Sequence, residues 1–402
     1  MTNLWYQNTP RDFWQCQPDP PQEAWIKAYQ EALPTLGLSH QIDDIDTANT
    51  LTLGEGRFGD DHWKLSPMKQ LYYILKPILP RSFRYALRRQ YSKLPPSDFQ
   101  LHWPIEKHYV HFQWKVIQQL MIVLGQTSLS FRYFWPEASR YALVLTHDIE
   151  TSQGQGYVRR VADLEESLGF RSSFNFVPEL YEIDYPLMQE LRERGFEIGV
   201  HGLKHDGKLF NSQKGFTKRA EKINQYLREF GAVGFRAPLT MRNPEWMQAL
   251  EIDYDLSFFD TDPFEPMPGG VMTIWPFTIG RFVELPYTLP QDSTLYIALS
   301  ESTPQLWIEK LKFIEQHHGM ALVNTHPDYL MDSKLWNIYS SFLLSVKERG
   351  GYWHALPCEV ARWWRSRSVD DIRQDPPELN LGTILLENEQ VDVNLPMRST
   401  RV

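Results

Sequence analysis

FEIGVHGLKHDG, residues 196–207, decides how the chain folds. FEIGV reads as a buried strand entered from the helix-like YPLMQELRERG (185–195), with Gly195 as a C-terminal cap. The apolar run stops at His201, and His205 follows four residues later. A second run, YALVLTHDIE (141–150), also ends in ionisable residues, among them Asp148 and Glu150. Two imidazoles with a distant Asp or Glu are the donors that leave zinc an open coordination position, so the pair points to a metal hydrolase rather than a structural metal site. Chance is the competing explanation, since the chain has 12 His and one His-x-x-x-His spacing is easily produced. Position favours a site, because α/β folds place ligands and catalytic groups beyond the carboxyl ends of their strands.

Working outward, apolar runs and helical stretches alternate from Tyr141 onward. RSSFNFV (171–177), GAVGFRAP (231–238) and MALVNTH (320–326) are spaced by YVRRVADLEESLG (157–169), KRAEKINQYLREFG (218–231), PQLWIEKLKFIEQHHG (304–319) and LWNIYSSFLLSVKERG (335–350). This is the rhythm of βα units around a parallel sheet. Three regions are expected: a helical, irregular segment over 1–137, an α/β catalytic region over 138–370, and a tail over 371–402 whose alternating LNLGTILLENEQVDVNL (379–395) predicts a small hairpin. Within the first region YVHFQWKVIQQLMIVLG (109–125) predicts a helix and LPPSDFQLHWP (94–104) a loop.

Composition excludes several classes. A net charge of −9 argues against a nucleic-acid binder. Cys16 and Cys358 are the only cysteines, which does not make a disulfide framework and fits a reducing compartment. The start, MTNLWYQNTPRDFW, lacks a leader pattern, and no apolar run of about 18 residues exists to span a bilayer. A cytoplasmic location is expected. Lys64, Lys69, Lys76, Arg81, Arg84, Arg88, Arg89 and Lys93 form an acid-free basic stretch interleaved with Leu, Ile, Tyr and Phe. Pro77 and Pro80 divide it. It reads either as a helical pair with a solvated basic rim or as a weak peripheral contact with the inner face of an anionic membrane. Abundant Trp and Tyr suit a carbohydrate-facing cleft, with core packing as the alternative, and Trp275 and Trp353 are the candidates.

The chemistry collects at run ends: His147, Asp148 and Glu150; His201 and His205; Arg236; His326 and Asp328. In order, THDIE (146–150), HGLKH (201–205), RAPL (236–239), FFDTDPFEP with IWPF (258–277) and LVNTH (322–326) resemble the motifs of the polysaccharide deacetylases, the NodB-homology carbohydrate esterases. The resemblance spans roughly 141–330. It implies a distorted (β/α) barrel of about seven strands and a divalent metal, zinc foremost, held by an Asp and two His. It departs in three places: Ile149 stands where a second Asp is usual, Gly202 replaces a hydroxyl residue, and Leu239 replaces a Tyr.

Strand periodicity puts Asp148 and Glu150 on one face with Ile149 in the core, so either carboxylate can be ligand and the other base. The assignment taken is Glu150, His201 and His205 as ligands and Asp148 as base, oriented by Arg236, with the two carboxylate roles exchangeable. His326 would be the general acid, its imidazole held by Asp260 or Asp262, the latter preferred. The implied reaction is removal of an N-acetyl or O-acetyl group from a sugar or glycan precursor, nucleotide- or lipid-linked given the location. Hydrolysis of another amide or ester, and a catalytically silent carbohydrate-binding protein, stand as alternatives.

Overall fold

The computed structural model describes residues 3–38, 42–59, 62, 63, 65, 69, 99–367, 381–387 and 390–394. Apart from Leu65 and Lys69, the basic stretch from Lys64 to Lys93 lies outside the described residues. Among the described residues no helix is long and apolar enough to cross a membrane.

The N-terminal part packs as helices against one short sheet. The helix His108–Leu124 buries Tyr109, Val110, Phe112, Val116, Ile117, Leu120 and Met121, a three-and-four spacing that makes one face apolar, and it stops at Gly125 in the left-handed region (φ 65°). It lies against the helix Gln22–Ala32. Strands β1 (Cys16–Gln17) and β2 (Ser128–Arg132) pair antiparallel.

Nine strands build the larger sheet: β3 (Tyr141–Ile149), β4 (Ser173–Phe176), β5 (Glu197–His201), β6 (Gly234–Arg236), β7 (Tyr254–Asp255), β8 (Phe277–Ile279), β9 (Phe282–Glu284), β10 (Met320–Thr325) and β11 (Tyr352–His354). Eight of them run parallel, seven in the order β10-β3-β4-β5-β6-β7-β9 and β11 beside β3. β8 turns back antiparallel on β9 through Gly280 (φ 56°), and β11 lines the lower part of β3. All nine residues of β3 are buried, as expected of a strand covered on both faces. The curl closes beyond β9, where the N–H groups of Thr288 and Leu289 both donate to the Leu322 carbonyl at 3.1 Å, and Leu322 N–H donates to Thr288 Oγ1 at 3.1 Å. The result is a (β/α) barrel with the helices Ser152–Leu168, Tyr185–Glu193, Gln213–Glu229, Gln305–Gln316 and Ser333–Arg349 in its connections. It is distorted because β6 and β7 are joined through only the four-residue helix Pro244–Met247, and β7 and β8 through irregular chain.

The tail strands β12 (Leu381–Glu387) and β13 (Gln390–Asn394) form an antiparallel hairpin, and β12 pairs with β2, giving a four-stranded sheet β1-β2-β12-β13. A buried ion pair ties the N-terminal segment to the barrel. Arg242 Nε and Nη2 donate to the two oxygens of Glu55 at 2.7 and 2.5 Å, Gly270 N–H adds a third bond at 2.8 Å, and the guanidinium lies 4.4 Å from the Phe259 ring centre. Burial disfavours the Glu55 carboxylate, but Arg242 and His62 outweigh it and bring its pKa down to about 2.

Candidate active site

The functional side chains gather at the carboxyl ends of the parallel strands because each, apart from His205 in the turn four residues beyond β5, is the last or next-to-last residue of its strand or follows it directly. Asp148 is the penultimate residue of β3, with Glu150 just beyond; His201 and Arg236 end β5 and β6 as register partners; His326 follows β10. Ile149 is fully buried, while the carboxylates on either side of it reach one cavity, Asp148 Oδ2 and Glu150 Oε1 lying 4.0 and 3.8 Å from His326 Nε2. His147 points away into a buried network, its two nitrogens taken by Thr325 Oγ1 and Glu165 Oε1, both at 2.7 Å.

Asp148 is held from three sides. Oδ1 accepts from Asn175 Nδ2 at 2.9 Å and Arg236 Nη1 at 3.2 Å, and Oδ2 accepts from Asn324 Nδ2 at 2.8 Å. Burial pushes against ionisation. The Arg236 charge, then His201, His326 and the Asn175 hydrogen bond, overcome it and hold the carboxyl well below the usual range. Arg236 is itself oriented by Leu256 O (2.8 Å), Thr146 Oγ1 (3.0 Å) and Asn324 Oδ1 (2.5 Å). Asn175 and Asn324 carry no weight in the sequence reading, yet each is a polar residue in a buried apolar strand, the pattern that marks a satisfied internal partner.

The two histidines present lone pairs. His201 Nδ1 lies 3.1 Å from the Arg236 carbonyl, which makes it the protonated nitrogen and leaves Nε2 as the free donor. Burial lowers its pKa to about 4, so the ring is neutral near pH 7. His205 sits in a tight turn in the left-handed region (φ 51°) with its ring centre 5.2 Å from that of His201. A donor atom from each ring and a Glu150 oxygen all lie within 4.8 Å of one another. His205 Nε2 is 2.8 Å from Glu150 Oε1, yet neither it nor His201 Nε2 has a hydrogen-bond partner of acceptable geometry among the described residues. Buried orphan lone pairs are rare, and two beside a carboxylate match the donor set of a divalent cation.

His326 is held by Asp292, whose oxygens take the His326 Nδ1 proton and the His326 main-chain N–H, each at 2.7 Å. This corrects the expectation for Asp262 and Asp260. Asp260 is paired with Lys310 Nζ at 2.7 Å, and Asp262 accepts from Phe264 N–H (2.8 Å) and the Tyr287 hydroxyl (3.3 Å). The physical reason is the barrel closure, which carries the chain from Thr288 alongside β10 and so delivers Asp292, not the 258–262 segment, to His326. Burial alone would lower the His326 pKa. Asp292, by charge and hydrogen bond, together with Glu150 and Asp148, lifts it to about 10.

One departure from the motif pattern has a visible cause. Gly202 adopts φ +63°, and a Cβ there would lie 2.4 Å from the Pro238 ring, so no hydroxyl residue fits. Leu239 and Thr240 are left-handed at φ 60° and 50°, which makes the Arg-Ala-Pro loop a strained rim of the site. Trp275 belongs to the core, its indole N–H donating to His318 O at 2.8 Å, and Trp353 packs on Trp135 and Trp363.

No family model and no curated protein matches the sequence. Among solved structures the chain is similar to a Mycobacterium smegmatis protein named as a polysaccharide deacetylase (18% identity, 62% of this chain and 98% of that one, TM-score 0.48). It is also similar to Puue allantoinase (14%, 58% and 92%, TM-score 0.47) and to a CE4 family pseudoenzyme, BA3943 from Bacillus anthracis (13%, 55% and 65%, TM-score 0.37).

Proposed function

We propose that the protein is a metal-dependent hydrolase that removes an acetyl group, N-linked or O-linked, from a sugar or glycan precursor. The carrying observation is the convergence of a nitrogen from each of His201 and His205 with a Glu150 oxygen, all within 4.8 Å of one another, beside an ionised Asp148. Glu150, His201 and His205 would hold a divalent cation, zinc first, and the bound cation would acidify a water and polarise the acyl carbonyl. Asp148 is assigned as base. Its two oxygens are already engaged by Asn175, Arg236 and Asn324, which keeps it charged and oriented, whereas Glu150 lies against His205. His326 Nε2 would give its proton to the leaving amine or alcohol, Asp292 keeping the opposite nitrogen protonated. A cytoplasmic chain would act on nucleotide- or lipid-linked sugars.

The test is metal content and acetate release together. Wild-type protein should carry one divalent ion and release acetate from acetylated oligosaccharides or sugar nucleotides. His201→Ala should lose the metal, and Asp148→Asn should keep it while losing turnover. Metal at full stoichiometry in His201→Ala refutes the ligand set, and metal loss in Asp148→Asn exchanges the two carboxylate roles.

A further inference from the structure

Asp328 stands two residues beyond His326 and is nearly buried, at 6% exposure. Its side chain turns back across the barrel mouth to the end of β3. Oδ2 accepts the main-chain N–H of Glu150 at 3.0 Å, and Oδ1 accepts the hydroxyl of Thr151. Thr151 in turn caps the 17-residue helix Ser152–Leu168, its Oγ1 accepting Gly154 N–H at 3.1 Å. Space for the carboxylate exists only because residue 154 lacks a side chain: a Cβ there would stand 2.2 Å from Asp328 Oδ2 and 2.5 Å from its Cγ. The carboxylate therefore bridges two segments far apart along the chain, 178 residues between Glu150 and Asp328, one carrying Glu150 and the other His326.

We propose that Asp328 is a positioning residue: it fixes the backbone from which Glu150 reaches toward His201 and His205, and sets that arm in register with His326. The inference rests on the proposed metal site. Glu150 lies one residue past the last ladder pair of β3, Ile149 with Phe176, so the Asp328 contact acts at the point where the strand ends. Loss of the bridge would loosen the backbone that carries the carboxylate, and each ångström of wander is felt by a three-donor site.

A helix cap alone would explain the same contacts, so the test separates the two. Metal-free protein is titrated with zinc chloride by calorimetry, and the melting temperature of the metal-free form is measured in parallel. Asp328→Ala should weaken zinc binding by about 10- to 100-fold, the usual effect of losing a partner that orients a ligand, and Asp328→Asn, which keeps one acceptor oxygen, by less. Gly154→Ala gives an independent reading should Asp328→Ala fold poorly. It raises helix propensity at its own position but pushes the Asp328 carboxylate away, so zinc affinity should fall in a protein whose helix is intact. Asp184 caps the next helix by accepting Leu187 N–H, and Asp184→Ala should lower the melting temperature with zinc affinity unchanged. Wild-type zinc affinity in both Asp328→Ala and Gly154→Ala overturns the positioning role and leaves the metal site standing. A wild-type protein that takes up no zinc overturns both.

Discussion

Removing the charge of Asp292 should convert His326 from a reliable proton donor into a titrating one. The two groups meet at 2.7 Å, both buried, with the carboxylate spanning the ring nitrogen and the main-chain N–H. With charge centres about 4 Å apart and an effective dielectric of about 20, their attraction is about 4 kcal/mol, or about 3 units of pKa. Asp292→Asn keeps the shape and removes that attraction, so the His326 value should drop from about 10 to about 7, where burial competes on equal terms with Glu150 and Asp148. Because the folded-state value is raised, the stabilisation from this pair is complete below the ordinary histidine range and is lost as pH climbs through about 10. The assay is ring-nitrogen NMR on metal-free protein with labelled histidine: His326 in the wild type should remain doubly protonated at pH 8, and the variant should titrate near neutrality. Turnover should fall by about 10² to 10⁴ at neutral pH, since both the proton and its tautomer are then unsecured. A variant whose His326 stays protonated to the same pH as the wild type would refute the reasoning and assign the shift to Glu150 and Asp148.

Three further outcomes can be checked on the folded protein. Arg242→Leu leaves Glu55 buried without its cation and should cost about 3–5 kcal/mol in denaturant unfolding; a loss under about 1 kcal/mol would mean that water reaches the carboxylate. Asp262 is pushed up to about 8, first by burial and then by the charge of Glu265, so its favourable contribution is full below the usual carboxylate range and fades as pH rises through 8. Asp262→Asn should accordingly gain thermal stability relative to the wild type at pH 9 compared with pH 5, and equal differences at the two pH values would contradict this. Gly202→Ser, which installs the hydroxyl residue of the related motif, should destabilise by at least about 1–2 kcal/mol from the left-handed backbone alone and also disturb His201, detectable as lower melting temperature and weaker metal uptake; an unaffected protein would show that Pro238 gives way.

The barrel was legible wherever periodicity was strong. YALVLTHDI and MALVNT each open on an apolar run, and they became the two longest strands of the barrel sheet, paired with each other throughout β10. The strands of two and three residues, β7, β8 and β9, carry too little pattern to announce themselves, and their place follows from the ring that must close around them. The clamp between Glu55 and Arg242 was equally silent, because a buried ion pair across 187 positions leaves no local trace. The alternation Asp148, Ile149, Glu150 was different: a period of two is a statement about faces, and the structure puts Ile149 in the core and brings both carboxylates to within about 4 Å of one imidazole nitrogen.

Asp292 shows where reading by motif runs out and what would have replaced it. Asp262 lies in an acidic segment at the expected point in the motif order, but order along the chain does not determine which carboxylate reaches His326. Register does. The barrel closes with Thr288 opposite Leu322, and four residues beyond each of these lie Asp292 and His326, the two groups that meet at 2.7 Å. Parallel neighbours in register deliver residues of equal offset to the same height, so once the closing pair is known the partner of His326 follows by counting. The closure is made partly by a side chain, Thr288 Oγ1 accepting from Leu322 N–H and donating to Met320 O at 2.6 Å, in a stretch, LPYTLPQD, that follows β9 as irregular chain and is interrupted by two prolines. Two prolines therefore keep this closing segment out of any apolar-run pattern, and with it the residue that holds the proposed acid.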